Sequence, residues 1–522
     1  MAQSVPSGVR LCELVGTLSL AVDLGLGQPM GHVARSCVVA GRLGDRLNLD
    51  QAERSSLFYI TLLGWVGCIA DSYEAAAWFG DDIDYRAGVY DVDLKPLPFL
   101  GYLLHRAGSG EAVPRRLAKR GAVLATGARG VQDALRAHCQ VTTNVARRLG
   151  LGPSVWQPLQ HIFTRWDGKG LPKGFGGTDI AFPVRLWHVC DVAEVHFRRS
   201  GVAAAIAVTR ERSGTQFDAD VVDAFVTHAH DLFDGLTDDT GWDDMIASEP
   251  ALRPPLAEDE LDAALETVAD WVDIKSPYFG GHSRGVADLA AAAAHRVGMT
   301  EDEQRLVRRA GLVHDLGRTG VPNSIWDKPG PLTSGEAERV RLHSYYTERM
   351  LARPEALAEI GQIAGLAHER LDGSGYHRGL AGSSIPFGAR ILGAAERYHT
   401  KLEARPHRQA LQPQQAERVL QEDARAGRLD PVAVDAVLTA AGRPRRRRVA
   451  GPAGLTAREL EVLMLLARGA SNRHIARALG IAPKTVGNHV ERIYVKAGVT
   501  TRSAATLFAM EHGLLTTLTP IE

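Results

Sequence analysis

The sequence predicts a mainly α chain, built as two tandem helical bundles followed by a compact four-helix module towards its C-terminal end. Three observations predict it. Strand-like alternation is sparse, whereas Ala- and Leu-rich segments with helical spacing recur; one landmark pattern occurs twice; and the stretch from Leu455 to Leu515 carries complete helix start and stop signals. With 522 residues, 45% hydrophobic and 23% charged, the chain has room for about three domains.

The two bundles are identified by their shared landmarks. Gly31-His32, Arg35, Leu43-Gly44, Glu53 and Gly67 are echoed by Gly281-His282, Arg284, Val297-Gly298, Glu303 and Gly317. Further on, Trp166-Asp167-Gly168-Lys169-Gly170 matches Leu371-Asp372-Gly373-Ser374-Gly375, and Phe182-Pro183-Val184-Arg185 with Asp191 matches Pro386-Phe387-Gly388-Ala389-Arg390 with Glu396. Phe217-Asp218 before Val221 parallels Leu429-Asp430 before Val432. Between these landmarks, sets such as Val286, Leu289, Ala290, Ala293 and Ile360, Ile363, Ala364, Ala367 have the spacing of buried helix faces. The expected organisation is a first bundle over 1–235, an acidic linker over 236–256 containing Pro250, Pro254 and Pro255, a second bundle over 257–442, a basic linker over 443–454, and the terminal module over 455–518.

The second bundle carries residues suited to metal chemistry. His314-Asp315 is preceded by His282 and followed by His343, His368 and Glu396. An adjacent His and Asp offer an imidazole nitrogen and a bridging carboxylate to divalent ions, which lower the pKa of bound water and clamp phosphate oxygens. Any one of these histidines alone reads more readily as a core or surface residue. Their order changes that reading. His314-Asp315-Leu316-Gly317, Gly320-Val321-Pro322, Lys328-Pro329-Gly330, Leu332, Glu336, His343, His368-Glu369-Arg370, Asp372-Gly373-Ser374-Gly375-Tyr376, Gly379-Leu380, Ile385-Pro386, Arg390 and Arg405-Pro406 with Arg408 resemble the HD superfamily of metal-dependent phosphohydrolases, and more closely its HD-GYP branch.

That resemblance implies an HD-type helical bundle, and the duplication makes both bundles HD-type. It implies His282, His314, Asp315, His343, His368 and Glu396 as ligands of iron, manganese or zinc, about two ions per active chain. It also implies hydrolysis of a cyclic dinucleotide such as cyclic di-GMP, with Asp315 and Arg318 as catalytic residues. The chain departs from the family at four places. Glu396 replaces an Asp, Ala367 stands in a His pair, Arg318 replaces a Lys, and His377 replaces the Pro after Gly-Tyr. Arg318 keeps the positive charge and can bind phosphate through its planar fork, but it cannot readily shed a proton. His377 is either a substitute donor or a surface-loop residue. The first bundle has Gly64-Trp65 where His314-Asp315 would stand, so His32 and Asp191 lack the pair that bridges ions and no catalysis is expected there. Trp65, Trp156, Trp166 and Trp187 either fill the former cavity or line a ligand pocket.

The terminal module begins with Thr456 and Glu459, a T-x-x-E capping box, and Gly469 follows the first helix. Ser471 opens a second helix that ends at Gly480. Ile481-Ala482-Pro483 launches a third helix through Lys496, and Thr501 opens a fourth that runs to His512. Helix, short turn, helix is a DNA-reading arrangement. Leu455-Thr456, Arg458-Glu459, Ser471-Asn472, Ile475-Ala476, Thr485-Val486, His489-Val490, Lys496 and Gly498-Val499 resemble the LuxR-type helix-turn-helix. The resemblance implies that Lys484, Thr485, Asn488, His489, Arg492 and Lys496 meet base edges or phosphates of double-stranded DNA. It further implies that the fourth helix pairs two copies in a homodimer.

Charge agrees with the DNA reading. Arg443 to Arg502 holds thirteen Lys or Arg against three Glu, inside a chain of formal net charge −1. The run Arg443-Pro444-Arg445-Arg446-Arg447-Arg448 reads as flexible phosphate contacts or as a solvated linker. The five cysteines are scattered without C-x-x-C spacing, which indicates neither a zinc ribbon nor a disulfide framework. With no basic-then-apolar leader and no long apolar run, a cytoplasmic protein without membrane partners is expected. The expected function is a DNA-binding regulator whose HD-GYP-like domain binds metal and hydrolyses a phosphodiester or nucleotide signal. The alternative is a weak or inactive domain serving as metal or nucleotide sensor or as dimerisation scaffold.

Overall fold

Local signals written in the sequence set most helix ends in the computed structural model, which describes residues 8–93, 95–237, 240–442 and 452–515. The architecture is all-helical, with 25 α-helices and no strand among the described residues. Asp50 with Glu53, Thr300 with Glu303, Thr333 with Glu336 and Thr456 with Glu459 each form reciprocal capping boxes that satisfy amides the first helical turn leaves unpaired.

The chain divides into two compact units, one of residues 1–68 and 74–257, the other of 69–73 and 258–522. The first centres on the helices Leu11–Gly25, His32–Arg46, Gln51–Leu63 and Phe182–Ser200. Of the segment expected as a linker, residues 240–256 are structured and belong to this unit: the Gly241–Ala247 helix buries Trp242 and Met245, and Tyr59 donates to Glu249 at 2.8 Å. Acidic and proline-rich composition was a poor guide there, because the aromatic and Met side chains supply the apolar contact that holds the segment down. Residues 51–79 are apolar enough by composition to cross a membrane, yet 78% of their most apolar 18-residue stretch is buried inside the protein.

The second unit joins the helices Glu258–Asp273, His282–Arg296, Glu301–Val313, Ser334–Leu351 and Phe387–Leu402 to the terminal module. In the module, Ala457–Ala467, Asn472–Leu479, Pro483–Ala497 and Arg502–Glu511 enclose a core of Val462, Leu463, Leu466, Ile475, Val486, Ile493, Ala505 and Ala509. Gly469, Gly480 and Gly498 take positive φ after the first three helices, a conformation that costs a residue with a Cβ. The Arg443–Arg448 run lies outside the described residues.

The duplication recurs at atomic detail. Arg185 Nε donates to the Ile180 carbonyl at 2.9 Å and its NH1 to Asp218 at 2.9 Å; Arg390 does the same to Ile385 at 2.7 Å and Asp430 at 3.0 Å. Asp23 and Asp273 likewise cap the start of the His32–Arg46 and His282–Arg296 helices, accepting from the Gly31 amide at 2.7 Å and the Ser283 amide at 2.9 Å. Burial pushes both carboxyls up to about 7, against the lowering pull of His32 and His282 respectively.

Candidate metal centre

Helix ends and a tight turn bring the ligand candidates together. His282 opens the His282–Arg296 helix behind Gly281, which sits at φ 76°. His314 caps the end of Glu301–Val313, and Asp315 leads into the turn Leu316–Gly320. Gly317 is obligatory in that turn, since a Cβ there would lie 2.0 Å from the His343 carbonyl oxygen. Two further motif residues shape the surrounding loops. Glu369 accepts from the amides of Arg378, Gly379 and Leu380, and Glu336 pairs with Lys328 at 2.6 Å.

Three imidazoles converge on one carboxylate. Nε2 of His282, His314 and His343 lie 3.2, 2.9 and 3.4 Å from Asp315, and His282 Nε2 is also 3.1 Å from Glu396. Their Nδ1 atoms are engaged elsewhere: His314 on the Gly311 carbonyl at 2.8 Å, His343 on the Val340 carbonyl at 2.5 Å, and His282 on Glu403 at 3.0 Å. A ring that donates from Nδ1 presents a lone pair at Nε2. His368 completes the cluster, 4.8 Å from the His343 ring and stacked at 5.0 Å on Tyr376.

The donor set fits a divalent ion. Nε2 of His314 and His368, both Asp315 oxygens and Glu396 Oε2 are buried without a hydrogen bond, and apart from the ion pair of Arg318 with one Asp315 oxygen at 2.6 Å this leaves a surplus of lone pairs in a dry site, which suits a cation. His282, His314 and Asp315 form one group able to share an ion, and Asp315, His343 and His368 another. Burial opposes charge on His282, but Glu403 and Glu396 overcome it and hold its pKa well above normal, so its Nε2 offers a lone pair to an ion only by giving up a proton. Burial would raise Asp315, but Arg318 and His314 keep it well below the usual carboxylate range.

Arg318 stands inside this cluster. Its NH2 is 2.6 Å from Asp315 and 3.3 Å from His282 Nε2, while its guanidinium lies 4.1 Å from the Phe279 ring centre and 5.5 Å from that of Trp326. His377 is not part of the centre; it pairs with Glu348 at 3.1 Å. Spacing gave no warning of Glu403 and His399. Glu403 binds His282, lies 3.1 Å from His399 and accepts from Arg405 at 2.7 Å, so it orients a ligand from behind.

The corresponding place in the first unit is closed. Trp65 donates its indole N–H to Asp191 at 2.8 Å, and its ring lies 5.4 Å from Trp187 and 5.9 Å from Phe163. His32 is 3.2 Å from Asp191 and also bonded to Glu194. Trp156 and Trp166 lie elsewhere, against Arg147 and Arg185. Among the described residues, every His, Cys, Asp and Glu group close enough to share an ion is in the second unit.

In the terminal module, Lys484, Thr485, Asn488 and Arg492 are exposed on the Pro483–Ala497 helix and His489 is partly buried. Lys496 is otherwise engaged: its ammonium binds Glu459 at 2.6 Å and the Gly454 carbonyl at 3.1 Å. Val495, 82% exposed, shares the Asn488–Arg492 stripe by helical spacing and was not singled out from the sequence.

Residues 266–432 match the family model described as HD domain, and residues 453–509 the model for bacterial regulatory proteins of the luxR family. The 3'3'-cGAMP-specific phosphodiesterase 3 of Vibrio cholerae is 28% identical over 417 residues, covering 79% of this chain and 91% of that protein. The 3'3'-cGAMP-specific phosphodiesterase 1 of Vibrio cholerae is 32% identical over 37% of this chain and 45% of its own length. The cyclic di-GMP phosphodiesterase response regulator RpfG of Xanthomonas campestris is 35% identical over 32% of this chain and 44% of its own. A crystal structure of a cyclic GMP-AMP specific phosphodiesterase from V. cholerae, V-cGAP3, superposes with a TM-score of 0.59 at 26% identity, covering 84% of this chain and 99% of that one.

Proposed function

We propose that this chain, which carries an HD domain and a LuxR-type helix-turn-helix module, is a DNA-binding regulator that hydrolyses a phosphodiester bond of a cyclic dinucleotide. The observation that carries the enzymatic half is the convergence of His282, His314 and His343 on Asp315, with further buried lone pairs of His368 and Glu396 that make no hydrogen bond. The relatives named as cyclic GMP-AMP and cyclic di-GMP phosphodiesterases supply the substrate class.

Divalent ions held by His282, His314, Asp315, His343, His368 and Glu396 would supply Lewis-acid polarisation of the phosphoryl group and a lowered pKa for attacking water. Arg318 neutralises charge on the phosphoryl oxygens through its planar fork. Tyr376 holds the His368 ring by stacking, and Glu403 fixes the tautomer and direction of His282. On the DNA side, Lys484, Thr485, Asn488 and Arg492 enter the major groove, and Val495 adds an apolar contact of the kind thymine methyl groups accept.

One observation favours a second reading, in which the domain senses metal or nucleotide without efficient turnover: Arg318 NH2 lies beside the Asp315 oxygen an ion would use. Metal content of anaerobically purified wild type and Asp315→Asn, followed by turnover of cyclic di-GMP and 3'3'-cGAMP on the same samples, separates the two. Metal and hydrolysis in wild type, both lost in the variant, support the enzyme. Metal without turnover supports the sensor, and hydrolysis that survives Asp315→Asn overturns the assignment of Asp315.

A further inference from the structure

A group of cations beside the metal centre lacks matching acids. Arg397 and Lys401 stand one turn apart on the Phe387–Leu402 helix that carries Glu396, a spacing at which like charges repel. Arg370 follows His368 by two residues, and Arg408 folds back on the end of the same helix. The carboxylate that reaches this group, Asp423, is already shared by Arg397 at 2.7 Å and Arg428 at 2.6 Å. Arg408 donates to main-chain carbonyls, those of Lys401 at 3.2 Å and Glu403 at 2.9 Å among them, and these do not neutralise its charge.

Two of the four cations are unengaged. Neither the Arg370 guanidinium nor the Lys401 ammonium forms a hydrogen bond or an ion pair among the described residues, and Arg370 NH1 is buried. Burial pushes the Lys401 pKa down, and Arg397 and Arg408 push it further, to about 8, against a weaker upward pull from Asp423. Burial and Arg397 likewise oppose charge on Arg370, while Asp423, Tyr376 and Glu396 favour it. The pull of Tyr376 and Glu396 places Arg370 between the cation group and the metal centre, for Glu396 is a candidate ligand and the Tyr376 ring stacks on His368 at 5.0 Å. Partly buried cations that repel one another and lack partners cost the fold stability. An anion needs that same arrangement: several donors set in advance around a shielded, positive position.

We propose that Arg370, Arg397 and Lys401 form a phosphate-binding site beside the metal centre, filled by the second phosphate of a cyclic dinucleotide whose first lies at the ions, or by free phosphate. A cyclic dinucleotide holds two phosphates in one ring, so a centre that takes one brings the other close by. The cation group stands on its own observations, and its use by the substrate rests on the phosphodiesterase reading.

The test uses the full chain at matched metal content. Lys401→Met keeps much of the side chain's length and removes its charge; because it also removes a like-charge repulsion, its unfolding midpoint should be no lower than that of wild type. The ratio of kcat/KM on cyclic di-GMP to that on bis(p-nitrophenyl) phosphate, which has a single phosphate, is measured for each protein, and inorganic phosphate is titrated by calorimetry. If the second phosphate of the substrate fills the site, Lys401→Met lowers the preference for the cyclic dinucleotide by about tenfold, the size of one charged hydrogen bond, and Lys401→Arg restores it. If free phosphate fills it, the preference is unchanged and phosphate affinity falls by about tenfold instead. Should Lys401→Met fail to fold, Arg370→Gln makes the same comparison from the loop after His368. Equal preference and equal phosphate affinity in wild type and a folded variant overturn the proposal. Hydrolysis of neither ester by wild type overturns the phosphodiesterase reading, and calorimetry with phosphate and cyclic di-GMP then decides the site by itself.

Discussion

Glu403 carries the most consequence among residues that are not candidate ligands. Its carboxylate binds His282 Nδ1 at 3.0 Å and is itself fixed by Arg405 at 2.7 Å. Burial would raise its pKa, yet His282 and Arg405 hold it well below the usual range, so it stays an acceptor across physiological pH. Glu403→Gln keeps the shape and removes the charge, and partners of this kind are worth about 10–100-fold in metal affinity. A competition titration with a chelating dye should find that loss; an unchanged affinity would make Glu403 a packing residue only. Arg318 was legible as a replacement for Lys, and Asp315 is only three residues away, but its place over Phe279 was not legible, because that contact depends on where the Pro277–Gly281 loop folds back.

At the scale of the element, the Pro483–Ala497 helix divides its cations between two tasks. Lys484 and Arg492 are exposed, whereas Lys496 binds Glu459, the residue that closes the capping box of the Ala457–Ala467 helix. Lys484→Ala or Arg492→Ala should each cost about 1–3 kcal/mol of DNA affinity if it contacts a base, or lower the salt dependence by about one counterion if it contacts phosphate. Lys496→Ala should instead show its effect in stability, about 0.2–1 kcal/mol for a partly exposed pair. Fluorescence anisotropy across a salt series, beside thermal unfolding, separates these outcomes. The helix and its caps were readable from the sequence because each cap spans only a few residues. The Lys496–Glu459 pair, 37 residues apart, was not.

At the scale of the whole molecule, one bundle holds a side-chain cluster able to take a metal ion and its duplicate has filled the equivalent place with Trp65 and Trp187. Ligand-linked stabilisation should follow the same division. Adding manganese at about 100 times its dissociation constant stabilises the binding unit by about 2.7 kcal/mol. Calorimetry should then show one unfolding transition moving upward and one staying in place. Movement of both by the same amount would show that the two units unfold as one.

The sequence by itself determined the all-helical class, the duplication, the helix caps and the candidate ligands His282, His314, Asp315, His343, His368 and Glu396, since these rest on short-range patterns and on the order of motif residues. Tertiary structure alone decided four matters. Residues 240–256 became part of a folded unit through Trp242 and Met245, and the first bundle's cavity was closed by two tryptophans rather than four. Glu403 came to stand behind His282 across 121 residues of chain, and the last helix of the DNA-binding module came to rest against the loop before that same histidine. Each depends on which surfaces meet when the helices pack, and that is fixed by buried area and shape across distant segments, which spacing along the chain does not record.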